Sequence, residues 1–151
     1  MQPKTVLLVE DDRAISLLLS LVFQRHGYTV LHAENRTEAI RLLHLHSNDV
    51  QLLLSDVALQ NDSGEAVAAQ VRTLCPGTAV VFLSGFPLEI LVERGFLQSQ
   101  TLRDGNTFFI QKPFLPNDLL ELVERIPRRE RETECLPKSP AGGIHNACIS
   151  Y

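Results

Sequence analysis

The chain has 151 residues, 44% of them hydrophobic and 21% charged, which suffices for one buried core and excludes two ordinary domains. Its formal charge of -4 excludes the broad basic face that binding to nucleic-acid phosphates requires, so no direct nucleic-acid contact is expected.

Short β-branched and Leu-rich runs alternate with longer helical patterns, the signature of βαβ units around a parallel sheet. Residues 5–9 form the first predicted strand. Ile15, Leu18, Leu19, Val22 and Phe23 follow at helical spacing, with Asp12 suited to the N-cap and Gly27 to the stop. Residues 29–33 form the second strand, and Asn35 with Glu38 three positions on starts a second helix through Ile40 and Leu43. His44 and His46 flank Leu45 on that helix and are expected to face solvent, since a metal pair would need i, i+4 spacing. A third strand spans residues 50–54. The third helix runs from Gly64 through Val67, Val71 and Leu74 until Pro76-Gly77 ends it. Residues 79–83 make the fourth strand, 88–94 the fourth helix and 108–110 the fifth strand. Pro116 suits the first turn of a fifth helix whose Leu119, Leu120 and Val123 face the sheet before Pro127 stops it. Several strands are apolar on consecutive residues, as a sheet covered on both faces demands. The fold class is therefore α/β, a (βα)5 doubly wound five-stranded parallel sheet of the flavodoxin-like kind, over residues 1–127. Residues 128–151 read as a mixed-charge, then Pro- and Gly-containing flexible tail.

The longest apolar stretches fall short of a bilayer span, and the N-terminal apolar run ends on three acids as no secretory signal does. A cytoplasmic location is expected. Cys75, Cys135 and Cys148 are odd in number and share no metal or redox spacing, so reduced, unpaired thiols are expected, with Cys75 a small buried hydrophobe.

In an open α/β sheet the functional crevice lies beyond the carboxyl ends of the strands. Polar residues stand at four of those ends: Glu10, Asp11 and Asp12 after the first, Asp56 after the third, Ser84 after the fourth and Lys112 after the fifth. The first and third strands are neighbours in such a sheet, which gathers at least three carboxylates. At roughly 4 Å and an effective dielectric near 20, each like-charged pair repels by about 4 kcal/mol, a cost that a bound divalent cation removes. All-oxygen donors favour Mg²⁺, and Lys112 suits a remaining anionic oxygen.

The segments Leu-Val-Glu-Asp-Asp, Leu-Leu-Ser-Asp, Phe-Leu-Ser-Gly and Phe-Ile-Gln-Lys-Pro-Phe, in that order, resemble the response-regulator receiver domain of two-component signalling over about residues 4–126. The resemblance implies that Asp56 accepts a phosphoryl group from a kinase phosphohistidine. It implies that Asp11 binds Mg²⁺ directly, Glu10 through water, and that Asp56 and the Ala58 backbone carbonyl complete the protein ligands. Ser84 and Lys112 would each hold a phosphoryl oxygen. Ser84 and Phe109 would carry the switch to the surface of helix four, strand five and helix five, and a cis Lys112-Pro113 bond is implied. The partners implied are a sensor histidine kinase or phosphotransfer protein and a downstream protein, with homodimerisation common in the family. The Phe-Phe-Ile-Gln-Lys-Pro-Phe stretch at residues 108–114 also looks like receivers of hybrid sensor kinases. Two departures stand out: Gln60 replaces a common proline, although Gly64 matches, and the stretch from Ser84 to Lys112 is long, with 95–106 loop-rich. Ala58 and Phe86, at positions that tune water attack, imply a relatively long-lived aspartyl phosphate. The rival reading is a receiver-fold interaction module that works without phosphorylation.

Overall fold

A computed structural model describes residues 4–46 and 49–127. The elements follow in the expected alternation: β1 (Lys4–Val9), α1 (Arg13–Arg25), β2 (Tyr28–Ala33), α2 (Arg36–Leu45), β3 (Val50–Asp56), α3 (Gly64–Leu74), β4 (Ala79–Ser84), α4 (Leu88–Glu93), β5 (Thr107–Gln111) and α5 (Pro116–Arg125). The five strands form one parallel sheet in the order β2-β1-β3-β4-β5. Strand order reverses between β1 and β3, which opens a crevice at their carboxyl ends.

Side chains alternate across each strand and fill two cores. Leu7, Val9, Leu53, Val80 and Phe82 pack beneath α2, α3 and α4, while Val6, Leu8, Leu52, Leu54, Val81 and Leu83 pack beneath α1 and α5. The fully apolar run of β4 is explained by this double coverage.

The helix boundaries have local causes. Asp12 caps α1, its Oδ1 accepting from the Ala14 and Ile15 N–H groups at 2.9 and 3.1 Å, as the sequence suggests. Gly27 takes φ +84° just past the end of α1, where a Cβ would be strained. The face that α1 buries is Ser16, Leu19 and Phe23, whereas Leu18, expected inside, is 52% exposed beside Leu17 and Leu21. Leu18 lies about 100° from Leu19 around the axis, so one of the two must leave the core. Asn35 caps α2 by accepting the Glu38 N–H at 2.8 Å, but Glu38 reaches back to the Glu34 N–H at 3.1 Å rather than to the cap residue itself.

Three features add to or depart from the expected pattern. An antiparallel hairpin, Ala58–Leu59 against Asp62–Ser63, sits between β3 and α3. The 95–106 segment, expected to be loop-rich, contains a single 3-10 turn at Thr101–Arg103 and is fastened to α3. Arg72 donates to the Asn106 carbonyl at 2.9 Å and pairs with Asp104, and Glu65 accepts the Gln98 N–H at 2.7 Å. Cys75 is buried as expected, yet it is disulfide-bonded rather than a reduced thiol. An odd cysteine count and missing local spacing do not forbid a disulfide. The expected 128–151 tail lies outside the described residues.

Candidate functional site

Glu10 continues directly from β1, and the backbone there is clamped to β2. Its N–H donates to the Ala33 carbonyl at 3.1 Å, and the His32 ring donates from Nε2 to the Glu10 carbonyl at 2.8 Å. The Glu10 side chain is buried, 1% exposed, with Oε1 accepting the Asp12 N–H at 3.1 Å and Oε2 accepting from Lys112 Nζ at 3.2 Å. Asp56 closes β3, which pairs with β4 through Asp56 and Leu83. Its Oδ2 lies 3.4 Å from the same Lys112 Nζ. Asp11 reaches in from the loop after β1, its Oδ2 accepting the Gln60 N–H at 2.8 Å. One oxygen from each of Glu10, Asp11 and Asp56 lies within 4.8 Å of the others.

Lys112 reaches this cluster because its own N–H donates to the Ser84 carbonyl at 2.7 Å, tying the end of β5 to the end of β4. The Lys112-Pro113 bond that follows is cis. Ser84 is buried, and its hydroxyl accepts the Phe86 N–H at 3.0 Å. Phe109 pairs with Phe82 across the β4–β5 ladder and packs, half-buried, against the core beneath α2, α3 and α4. Phe108 and Ile110 pack on the opposite face. Ala58 stands exposed in the hairpin two residues past Asp56.

The Asp56 backbone tolerates no side chain at the head of α3. A Cβ on Gly64 would sit 2.1 Å from the Asp56 carbonyl oxygen, so glycine alone lets α3 begin that close to the acidic residue. The Gly64 N–H donates to Val57 at 2.8 Å and the Val57 N–H to Leu83 at 2.9 Å, which fixes the chain on both sides.

Burial is the main influence on both inner carboxyls. It pushes Glu10 above the usual carboxylate range, and the Asp56 charge adds to the rise, while the Asp12 N–H and Lys112 oppose it. Burial likewise raises Asp56, with Lys112 opposing and Asp11 reinforcing. One lysine therefore compensates the cluster incompletely. Three carboxylates with only oxygen donors and one lysine leave the cluster two positive charges short, which matches the needs of a hard divalent cation and suits Mg²⁺.

The residues gathered here are Glu10, Asp11, Asp56 and Lys112, with Ser84 bonded to Lys112 through its backbone. Asp12 is taken up by the α1 cap. Two contributors escape a reading of the sequence: the Gln60 N–H, which is a backbone group, and His32, whose ring reaches the Glu10 carbonyl from a register position opposite Leu8. Among the described residues, no helix is long and apolar enough to cross a membrane.

Fold and site together define a flavodoxin-like α/β domain with an acidic crevice at its switch point. Residues 6–124 match the model of the response regulator receiver domain. The response regulator receiver protein CpdR of Brucella abortus (strain 2308) is 28% identical over 82% of this chain and 96% of its own length. The sensor kinase CckA of the same organism is 28% identical over 83% of this chain but only 13% of its own. The transcriptional regulatory protein PdtaR of Mycobacterium tuberculosis is 30% identical over 89% of this chain and 62% of its own. The chain thus spans only part of several relatives. In structure, Vibrio cholerae chemotaxis protein CheY4 superposes with a TM-score of 0.71 at 24% identity, over 83% of this chain and all of CheY4. The receiver domain of the hybrid histidine kinase CckA gives 0.65 at 24% identity, over 80% of this chain and 96% of that domain. This chain belongs to the response regulator receiver domain family of two-component systems.

Proposed function

We propose that residues 1–127 act as a Mg²⁺-dependent phosphoacceptor that takes a phosphoryl group from the phosphohistidine of a sensor kinase or phosphotransfer protein onto Asp56, in the cytoplasm. The observation that carries this reading is Asp56 placed 3.4 Å from Lys112 Nζ and in one cluster with Glu10 and Asp11. An Asp56 carboxylate oxygen attacks phosphorus, the P–N bond breaks, and the imidazole nitrogen leaves with the electron pair. Asp11, Asp56 and the Ala58 carbonyl would hold Mg²⁺ directly and Glu10 through water. When bound, the ion neutralises phosphoryl oxygens as charge moves between donor and acceptor.

The chain's own groups do the rest by position and charge. Lys112 turns from its carboxylate partners to one phosphoryl oxygen. The Ser84 hydroxyl accepts the Phe86 N–H and so keeps its proton for another. Drawing Ser84 toward phosphate frees Phe109 to move, and the surface of α4, β5 and α5 changes for a downstream protein or a second copy of the chain. Among the described residues no side chain is assigned as a base for water, and Ala58 and the exposed Phe86, at the positions that tune water attack in the family, make the aspartyl phosphate long-lived.

Incubation with acetyl phosphate and Mg²⁺ tests the reading. One acid-stable, hydroxylamine-labile label is expected, absent from Asp56→Asn and from samples in chelator. Label that persists in Asp56→Asn overturns the assignment, and no label at all favours a module that works without phosphorylation.

A further inference from the structure

The hairpin between β3 and α3 is fastened at two points. Arg36, the first residue of α2, places Nε 2.9 Å from Asp62 Oδ2, and the other Asp62 oxygen accepts the Ser63 N–H at 2.9 Å. Two residues earlier, the Gln60 N–H donates to Asp11 Oδ2 at 2.8 Å. A link therefore runs from α2 through the hairpin to a carboxylate of the acidic cluster, joining segments 49 positions apart in the Gln60–Asp11 bond alone.

We propose that Arg36 is a positioning residue for Asp11. Its ion pair with Asp62 holds the hairpin where the Gln60 N–H fixes one Asp11 oxygen and leaves the other to a divalent cation. The inference rests on the cation-dependent reading of the site given above. Hydrogen bonds that orient a metal ligand are worth about 10–100-fold in metal affinity when lost. Arg36 acts one step further out, through a pair that is partly exposed, 44% at Arg36 and 21% at Asp62. Its loss is therefore expected to weaken binding about twofold to fivefold. A simple field effect has the opposite sign, because removing a positive charge near an acidic pocket tightens cation binding.

The test is calorimetric titration of Mg²⁺ into the wild type, Arg36→Ala, the charge swap Arg36→Asp with Asp62→Arg, Gln60→Ala and Gln60→Pro, together with exchange of the Gln60 amide in metal-free protein. Arg36→Ala is expected to bind Mg²⁺ about twofold to fivefold more weakly and to exchange the Gln60 amide faster, with the swap restoring both. Gln60→Ala keeps the N–H and wild-type affinity, whereas Gln60→Pro lacks it and loses about tenfold. Affinity equal to or above wild type in Arg36→Ala, with Mg²⁺ binding intact in the wild type, overturns the role of Arg36 and leaves the phosphoacceptor reading standing. No Mg²⁺ binding by the wild type overturns both.

Discussion

Replacing Asp56 by Asn should stabilise the protein without divalent cations and lose much of that advantage with them. Glu10, Asp11 and Asp56 oxygens lie within 4.8 Å of one another, so at an effective dielectric near 20 each repulsion involving Asp56 is about 3.5 kcal/mol. Its attraction to Lys112 at 3.4 Å is about 5 kcal/mol on the same scale. Losing two repulsions and one attraction leaves a gain of about 2 kcal/mol, and relief from burying the charge adds to it. The substituted amide oxygen still accepts from Lys112, so the hydrogen bond survives. On the proposed reading, excess Mg²⁺ at about 100 times its Kd would stabilise the wild type by about 2.7 kcal/mol, whereas the Asp56→Asn protein offers no anionic ligand at that position and would gain less. Urea denaturation midpoints in chelator and in Mg²⁺ read both effects, provided the slopes match. An Asp56→Asn protein less stable than wild type in chelator, or a difference between the two that Mg²⁺ leaves unchanged, refutes the electrostatic account of the pocket.

Other consequences follow from the same geometry. Glu10 and Asp56 hold their protons more tightly folded than unfolded, so without divalent cations stability should fall as pH rises above the ordinary values of 4.5 and 3.8 through the raised folded ones. Urea midpoints across pH in chelator check this, and a rise through that window in wild type relative to Asp56→Asn contradicts it. Gly64→Ala would force a Cβ to within 2.1 Å of the Asp56 carbonyl oxygen and should cost about 3 kcal/mol in thermal or urea stability. Asn106→Ala removes the donor to the Thr78 carbonyl at 3.2 Å and should cost about 1–3 kcal/mol while leaving Mg²⁺ affinity unchanged, which calorimetry and denaturation together resolve.

What was legible in the sequence follows from how regular the backbone is at each place. Glu10, Asp11, Asp56 and Lys112 stand at or just past strand ends, and a parallel sheet with helical crossovers brings such ends to one edge, whichever side chains fill the core. Chain order and the strand-end rule therefore sufficed to assemble them. Leu18 shows the limit of periodicity: the apolar residues between Ile15 and Phe23 define a broad face, and only packing against Tyr28 and α5 selects Leu19 and Phe23 over Leu18. The hairpin and its two tethers had no signal at all. Strands of two residues carry no alternation, Gln60 contributes a backbone N–H that any residue except proline would offer, and Arg36 and Asp62 are common surface charges until the turn sets them 2.9 Å apart. The groups expected to bear the chemistry are thus anchored in regular structure, while those that tune them sit in a loop. Substitutions in the Ala58–Ser63 hairpin should accordingly shift cation affinity among relatives of one fold, whereas substitutions at the strand ends should abolish it.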